Sequence, residues 1–267
     1  MRIEDLKKLE SKRFYFVEKK SEYELARMKG PCTVVLYTTG KVIFQGKEDV
    51  ISDIKSELGL ETKREPQNQA ALYGIIVGSD ETLKGDTFGG LVVAGFRADE
   101  EDRDELKKLG VRDSKTIDDS VILSLARKIR DSFQNSYYVI ELEPLEYNKE
   151  LVMNNITELL NRLHKKINEK LKIGNSLHIV DKYPGCGVGD VCEEKAESKH
   201  LEVAAASIIA REHAIKQINR LSEKAGFAIP KGSTHVREAL QALKKKNLKP
   251  EEFVKMDFSN VKKYLVN

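Results

Sequence analysis

Apolar and polar positions along the first sixty residues alternate over short stretches. Residues 13–17 (RFYFV) read as a strand and 20–28 as a short charged helix. Two β-rich runs, 33–37 and 41–46, flank Thr39-Gly40, which is a hairpin signal. In EDVISDIKSELGL, Val50, Ile51, Ile54 and Leu58 share one helical face, with Gly59 as the C-cap. Residues 61–70 (ETKREPQNQA) are polar and contain a proline, so they read as a linker. Beyond them the pattern changes. Residues 71–79, 88–96, 136–142 and 176–181 read as strands. Residues 116–132 and 151–171 read as long amphipathic helices, the second carrying Ile156, Leu159, Leu160, Leu163 and Ile167 on one face. Residues 195–221 form a further long helix without Gly or Pro, and 234–246 are helical. The expected organisation is a small α+β domain over 1–60, a linker over 61–70 and an α/β domain over 71–267.

Composition narrows this only a little. Hydrophobic residues make up 40% of the 267, enough for a core, and charged residues 33%. The formal net charge of +3 does not mark a nucleic-acid binder, so any basic surface must be made by folding. The three cysteines, Cys32, Cys186 and Cys192, are odd in number and irregularly spaced, which argues against a disulfide framework and against zinc. A reducing cytoplasm is the simplest compartment. The N-terminus has no apolar stretch of the signal-peptide kind, and no run approaches a membrane span.

Three places combine an acid with a strand end or a helix start. Asp80-Glu81 follows the apolar run GIIV, Asp181 ends LHIVD, and Glu197 lies just inside the long helix. Neighbouring side chains on a strand point to opposite faces. Asp80 and Glu81 can therefore share a metal only if the chain leaves strand geometry there, which Gly78 and the polar TLKGD would permit. Clustered carboxylates suit a hard cation such as Mg²⁺. Two such ions can activate water and stabilise the leaving oxygen of a phosphodiester. In a chain this rich in charge, the same acids are equally consistent with solvated surface groups.

The same residues carry a family resemblance. GSDETLKGDTFGGLVVAGF (78–96) resembles the signature of type 2 ribonucleases H, closest to the ribonuclease HIII branch. LGVRDSKTI (109–117), LHIVDKY (177–183), KAESKHLEVAAASIIARE (195–212) and IPKGS (229–233) resemble that branch's further motifs in the same order. TVVLYTTGKVIFQGK resembles the hairpin of the TATA-binding-protein-like domain that precedes the nuclease in this branch. The resemblance implies an RNase H-like mixed sheet flanked by helices, preceded by a small α+β TBP-like domain. It implies Asp80, Glu81, Asp181 and Glu197 as catalytic metal ligands, and Mg²⁺ or Mn²⁺ as cofactor, two ions with substrate bound. The substrate would be an RNA–DNA hybrid, cut in its RNA strand to leave 5′-phosphate and 3′-hydroxyl ends. Lys41, Phe44, Gln45, Lys84, Gly85, Lys115 and Lys231 are the candidate substrate contacts, and the chain is read as a monomer.

Two departures stand out. The branch has Val-Gly-Thr-Gly where this chain has Thr82-Leu83-Lys84-Gly85. Ribonuclease HII has Gly-Arg-Gly there, with backbone near the ribose 2′-hydroxyl. Lys84 either restores the positive charge, as a point charge rather than a planar fork, or is a solvated loop lysine. Ser233 follows Lys231-Gly232 where ribonuclease HII places a Tyr. Incision at a single embedded ribonucleotide, in the manner of ribonuclease HII, is one alternative activity. A non-catalytic hybrid-binding protein is the other. Asp86 and Asp113 read as structural or capping acids, His200 and His213 as partly buried helix residues, and Ala204-Ala205-Ala206-Ser207 as close packing of helix on sheet.

Overall fold

In the computed structural model, which describes residues 3–47, 50, 51, 53, 54, 58, 74–112 and 117–266, the chain divides into two units, Met1–Gln69 and Ala70–Asn267. The linker at 61–70, the cap at Gly59, and Asp113 and Lys115 lie outside the described residues.

The first unit opens with helix α1 (Ile3–Lys7) and a 3-10 turn, then four antiparallel strands in the order β1-β2-β3-β4: Tyr15–Val17, Glu24–Lys29, Thr33–Tyr37 and Val42–Gln45. The hairpin expected around Thr39-Gly40 joins β3 to β4, pairing Thr33 with Gln45 and Leu36 with Val42. Gly40 supplies the positive φ of 80° that the turn needs. β2 occupies part of the stretch read as a charged helix. Two of its charges, Glu24 and Arg27, are buried against each other at 2.6 Å. Ala26 and Met28, two apart, go into the core with Val34, Leu36, Leu6, Leu9, Phe14 and Ile54, which is strand periodicity.

The second unit is built on a five-stranded mixed sheet in the order β7-β6-β5-β8-β9. Its strands are β5 (Ile76–Thr82), β6 (Leu91–Ala98), β7 (Tyr137–Leu142), β8 (Leu177–Asp181) and β9 (Val191–Glu193). β5, β6 and β7 run antiparallel in turn, and β8 and β9 run parallel to β5. The helices are α2 (Glu100–Leu109), α3 (Asp119–Ser132), α4 (Pro144–Met153), α5 (Ile156–Leu171), α6 (Leu201–Ala225) and α7 (Arg237–Lys245). This is the expected RNase H-like arrangement of a mixed sheet between helices.

Two apolar layers hold the helices to the sheet. α5 closes one face, Leu160, Leu163 and Ile167 meeting Val77, Leu91 and Val93. α6 closes the other with α3 beside it, Ala204, Ala205, Ala206 and Ile208 meeting Val92, Ala94 and Phe96. Glycines on neighbouring strands allow this approach. A Cβ on Gly95 would meet Ile167 Cγ2 at 2.2 Å, and one on Gly78 would meet the backbone nitrogen of Val203 at 2.3 Å.

Three helix readings need correction. Residues 151–171 are not one helix. The chain is extended at Asn154 and Asn155, and Asn155 starts α5 afresh by accepting the N–H of Glu158 at 2.9 Å in a capping box. The stretch 195–221 is broken too. A 3-10 turn, Ala196–Ser198, precedes α6, with Lys195 at φ 57° before it and an extended His200 after it. α2 was not foreseen, because Leu106 is its only buried residue and charged residues dominate the rest. Among the described residues no helix is long and apolar enough to cross a membrane.

Candidate metal centre

β5 keeps strand register through the acidic pair, with Asp80 opposite Ala94, Glu81 opposite Val93 and Thr82 opposite Val92. The departure from strand geometry that Gly78 and the polar TLKGD would permit does not occur. Gly78 is there for the approach of α6, not for a bend. Alternation therefore sends the two acids to opposite faces of the sheet, Asp80 toward α6 and Glu81 toward α5.

Asp80, Asp181 and Glu197 each bring a carboxylate oxygen to within 4.8 Å of the others. β8 delivers Asp181 because it lies parallel to β5, pairing Val180 with Ser79. Asp181 Oδ1 accepts the backbone N–H of Ala196 at 2.8 Å, which fastens the 3-10 turn carrying Glu197. Asp80 and Glu197 are buried. Burial pushes the Asp80 carboxyl well above the usual carboxylate range. The charge of Glu81 adds to this, a hydrogen bond with Ser207 opposes it, and the charges of Asp181 and Glu197 add further. Like charges gathered in a poorly solvated place are what a bound cation would compensate. An all-oxygen donor set fits Mg²⁺ or Mn²⁺.

Glu81 is not part of that trio. It forms an ion pair with Lys84 through Oε1, and His164 Nε2 stands 3.3 Å from Oε2. Burial raises the Glu81 carboxyl, but His164 and then Lys84 outweigh it and hold the group below its ordinary value. His164 is fully buried on α5 and stacks on the Tyr183 ring at 5.3 Å. Its Nδ1 lies 2.8 Å from Ser79 Oγ, which lies 2.9 Å from His178 Nε2. Burial, and then the neighbouring His164, lower His178 to about 4, so its ring is neutral near pH 7. The Ser79 hydroxyl thus bridges the two rings, donating to one and accepting from the other.

A cleft of about 490 Å³ opens over Asp80, Glu81 and Asp181, with Lys84, Ser207 and Arg211 in its wall. Leu83 adopts φ 66° and buries its side chain in the core. It follows a left-handed backbone path that costs a non-glycine residue about 1–2 kcal/mol. Gly85 is exposed, and a Cβ there would meet nothing within 4 Å. Asp86 is structural, accepting the Gly232 N–H at 2.6 Å. Lys231 pairs with Asp119, which also receives Arg211 at 3.2 Å. In the first unit Lys41 and Gln45 are exposed, whereas Phe44 is half-buried and packs on the core, on the face opposite Gln45.

Cys186 and Cys192 are joined by a disulfide. The odd count and irregular spacing had argued against a framework of several bridges only. They exclude a network of bridges, but not a single bridge across six residues closing the loop between β8 and β9. His200 meets Glu193 and His213 meets Glu141, both partly buried at 2.9 Å. Sequence reasoning missed Ser79, His164, His178 and Arg211. For the histidines a signal existed, a polar ring inside an otherwise apolar helix face or strand.

The family described as Ribonuclease HII matches residues 77–261. Ribonuclease HIII of Streptococcus agalactiae serotype Ia is 32% identical over 89% of this chain and 86% of its own length. Ribonuclease HIII of Bacillus pumilus is 33% identical over 97% of this chain and 95% of its own. Among solved structures, Bst-RNase HIII in complex with Mn²⁺ is similar with a TM-score of 0.66 and 28% identity, covering 99% of this chain and 96% of that one.

Proposed function

The chain belongs to the ribonuclease HII family and is a ribonuclease H, and from that premise we propose that it is a ribonuclease HIII-like endonuclease cutting the RNA strand of RNA–DNA hybrids with divalent ions. The observation that carries the metal reading is the convergence of Asp80, Asp181 and Glu197 within 4.8 Å, with Asp80 and Asp181 lining an open cleft. When bound, divalent ions supply an activated water and stabilise the departing 3′ oxygen, leaving 5′-phosphate and 3′-hydroxyl ends. The solved relative that carries Mn²⁺ supports a divalent ion of this kind.

The chain's own residues do the rest. Ser207 orients Asp80, and the Ala196 N–H orients Asp181. Glu81 is held on the opposite face by Lys84 and His164. Arg211, with Lys231 beyond it on Asp119, brings positive charge to the cleft wall for backbone phosphates. Lys41 and Gln45 of the first unit are exposed and suited to gripping the duplex. The test is cleavage of an end-labelled hybrid with Mg²⁺, with Mn²⁺ and with excess EDTA, followed by analysis of the ends. Ion-dependent cutting with 3′-hydroxyl products is expected. Robust cutting in EDTA with 2′,3′-cyclic phosphate ends would overturn the proposal.

A further inference from the structure

The four acids divide three to one, and the fourth already has a cation. Asp80, Asp181 and Glu197 form one oxygen cluster. Glu81 stands outside that cluster, though it lines the same cleft as Asp80 and Asp181, and both of its carboxylate oxygens face nitrogen atoms of the chain. Lys84 sits on Oε1, and His164 stands 3.3 Å from Oε2. The backbone arranges the first of these contacts. Leu83, at φ 66°, turns the chain so that Lys84, three residues after Glu81, folds back over it. Tyr183 supports the folded-back side chain, its buried ring 5.4 Å from Lys84 Nζ. The side chain of Glu81 is 6% exposed and that of Lys84 37%, so the pair is only partly screened by solvent.

Two-ion phosphodiester chemistry needs carboxylates shared between two cations. Here a second cation arriving at Glu81 meets an ammonium already in contact with Oε1. We propose that Lys84 is an internal cation that occupies the Glu81 position in the enzyme free of nucleic acid, so that the chain binds one divalent ion firmly at Asp80, Asp181 and Glu197 and a second only when Lys84 is displaced. This rests on the reading of the trio as a metal site. It is peculiar to the Thr82-Leu83-Lys84-Gly85 loop, because a chain with Val-Gly-Thr-Gly there has no ammonium to offer. Lys84 thereby becomes a positioning residue that sets the order of ion loading, in addition to any contact with substrate.

The experiment counts bound Mn²⁺ by electron paramagnetic resonance of the free ion and by titration calorimetry. It uses the full chain without nucleic acid, so that turnover plays no part. The natural chain is expected to bind one ion firmly and a second weakly. Lys84→Ala should tighten the second ion roughly tenfold or more, as expected from removing one nearby positive charge at intermediate dielectric. Lys84→Arg keeps the charge and should leave the second ion weak. Asp181→Asn should lose the firm ion in either background. If the firm ion binds and is lost in Asp181→Asn, yet Lys84→Ala leaves the second ion within twofold of the natural chain, the Lys84 proposal fails and the metal reading stands. If neither the natural chain nor Lys84→Ala binds Mn²⁺, both fail together.

Discussion

Oδ1 of Asp181 accepts the backbone N–H of Ala196 at 2.8 Å, so the acid ending β8 also holds the turn that presents Glu197. One side chain thus has two duties, and substitutions can separate them. An asparagine keeps a carbonyl oxygen able to accept from Ala196 but is a poor ligand for a hard dication. An alanine loses both.

Asp181→Asn is therefore expected to lower the rate on a hybrid by at least about a hundredfold, the upper end of what losing an outer-shell partner alone costs. Its urea unfolding midpoint should stay close to that of the natural chain. Asp181→Ala should lose activity and also drop in stability by about 1–3 kcal/mol, because the Ala196 N–H is left without its acceptor. Turnover within a few fold of normal in Asp181→Asn would remove this residue from the centre.

The second prediction concerns acid stability through His178. Its folded pKa of about 4 lies below the ordinary 6.5, because the ring is buried and next to His164, with only Asp190 pulling the other way. Between these two values the unfolded chain binds more protons than the folded one. The stability contributed by the neutral ring is thus complete above about pH 6.5 and is lost as pH falls toward 4. The full loss is on the order of 3 kcal/mol. Urea midpoints at pH 7 and pH 5 should show a fall in the natural chain and a smaller fall in His178→Gln, whose amide can still donate to Ser79. Equal falls in the two proteins would show that protonation of His178 does not drive the change.

The sequence and the structure part company in ways that have physical causes. The strands carrying Asp80 and Asp181 were legible because buried strands read as continuous apolar runs. The split of Asp80 from Glu81 was legible, since alternation demands it, and Gly78, which could have permitted a break, is instead a contact with Val203. Glu197 was placed inside a helix because nothing in KAESKHLEV forbids one; the break comes from Asp181 reaching across fifteen residues to Ala196. The charged stretch 20–28, read as a short helix, holds Glu24 and Arg27 of a strand. Two charges three residues apart suit a helix surface, yet here they neutralise each other within a sheet. The His164–Ser79–His178 chain joins residues 85 and 99 positions apart, and no local pattern predicts such contacts.

The first unit gives the third prediction. A chain beginning near residue 68 should keep the acids of the second unit, since Asp80, Asp181, Glu197 and their partners all lie beyond it. It should bind a hybrid more weakly, and its affinity should fall less steeply with salt, because fewer phosphate contacts release fewer counterions. Fluorescence anisotropy across a salt series measures both. Equal affinity and equal slope for the shortened and full chains would show that Lys41, Gln45 and the rest of the first unit do not hold the substrate.

Specificity provides the last prediction, and the position of Lys84 sharpens it. Recognition of a lone ribonucleotide in the ribonuclease HII manner needs backbone close to one 2′-hydroxyl, a cation beside it and an aromatic ring near the junction. Leu83 takes a left-handed backbone path, and its side chain is spent in the core. Lys84 is engaged on Glu81 in the chain free of nucleic acid, and once displaced it offers a point charge in place of the arginine's planar fork. Ser233 stands where the ring would be, and its carbonyl accepts Asn260 Nδ2 at 3.0 Å. Discrimination should therefore come from the shape and charge of an extended hybrid more than from a single hydroxyl. Initial rates at equal salt should be at least about tenfold higher on a long RNA–DNA hybrid than on a DNA duplex carrying one ribonucleotide, the preference one good hydrogen-bonded contact would otherwise reverse. Comparable rates on the two substrates would mean that the displaced Lys84 serves the junction. In that case Lys84→Ala should lose single-ribonucleotide cutting selectively while retaining activity on the long hybrid. If Lys84→Ala instead slows both substrates alike, the residue acts through Glu81 on the common chemistry, and the choice of substrate is made elsewhere in the cleft.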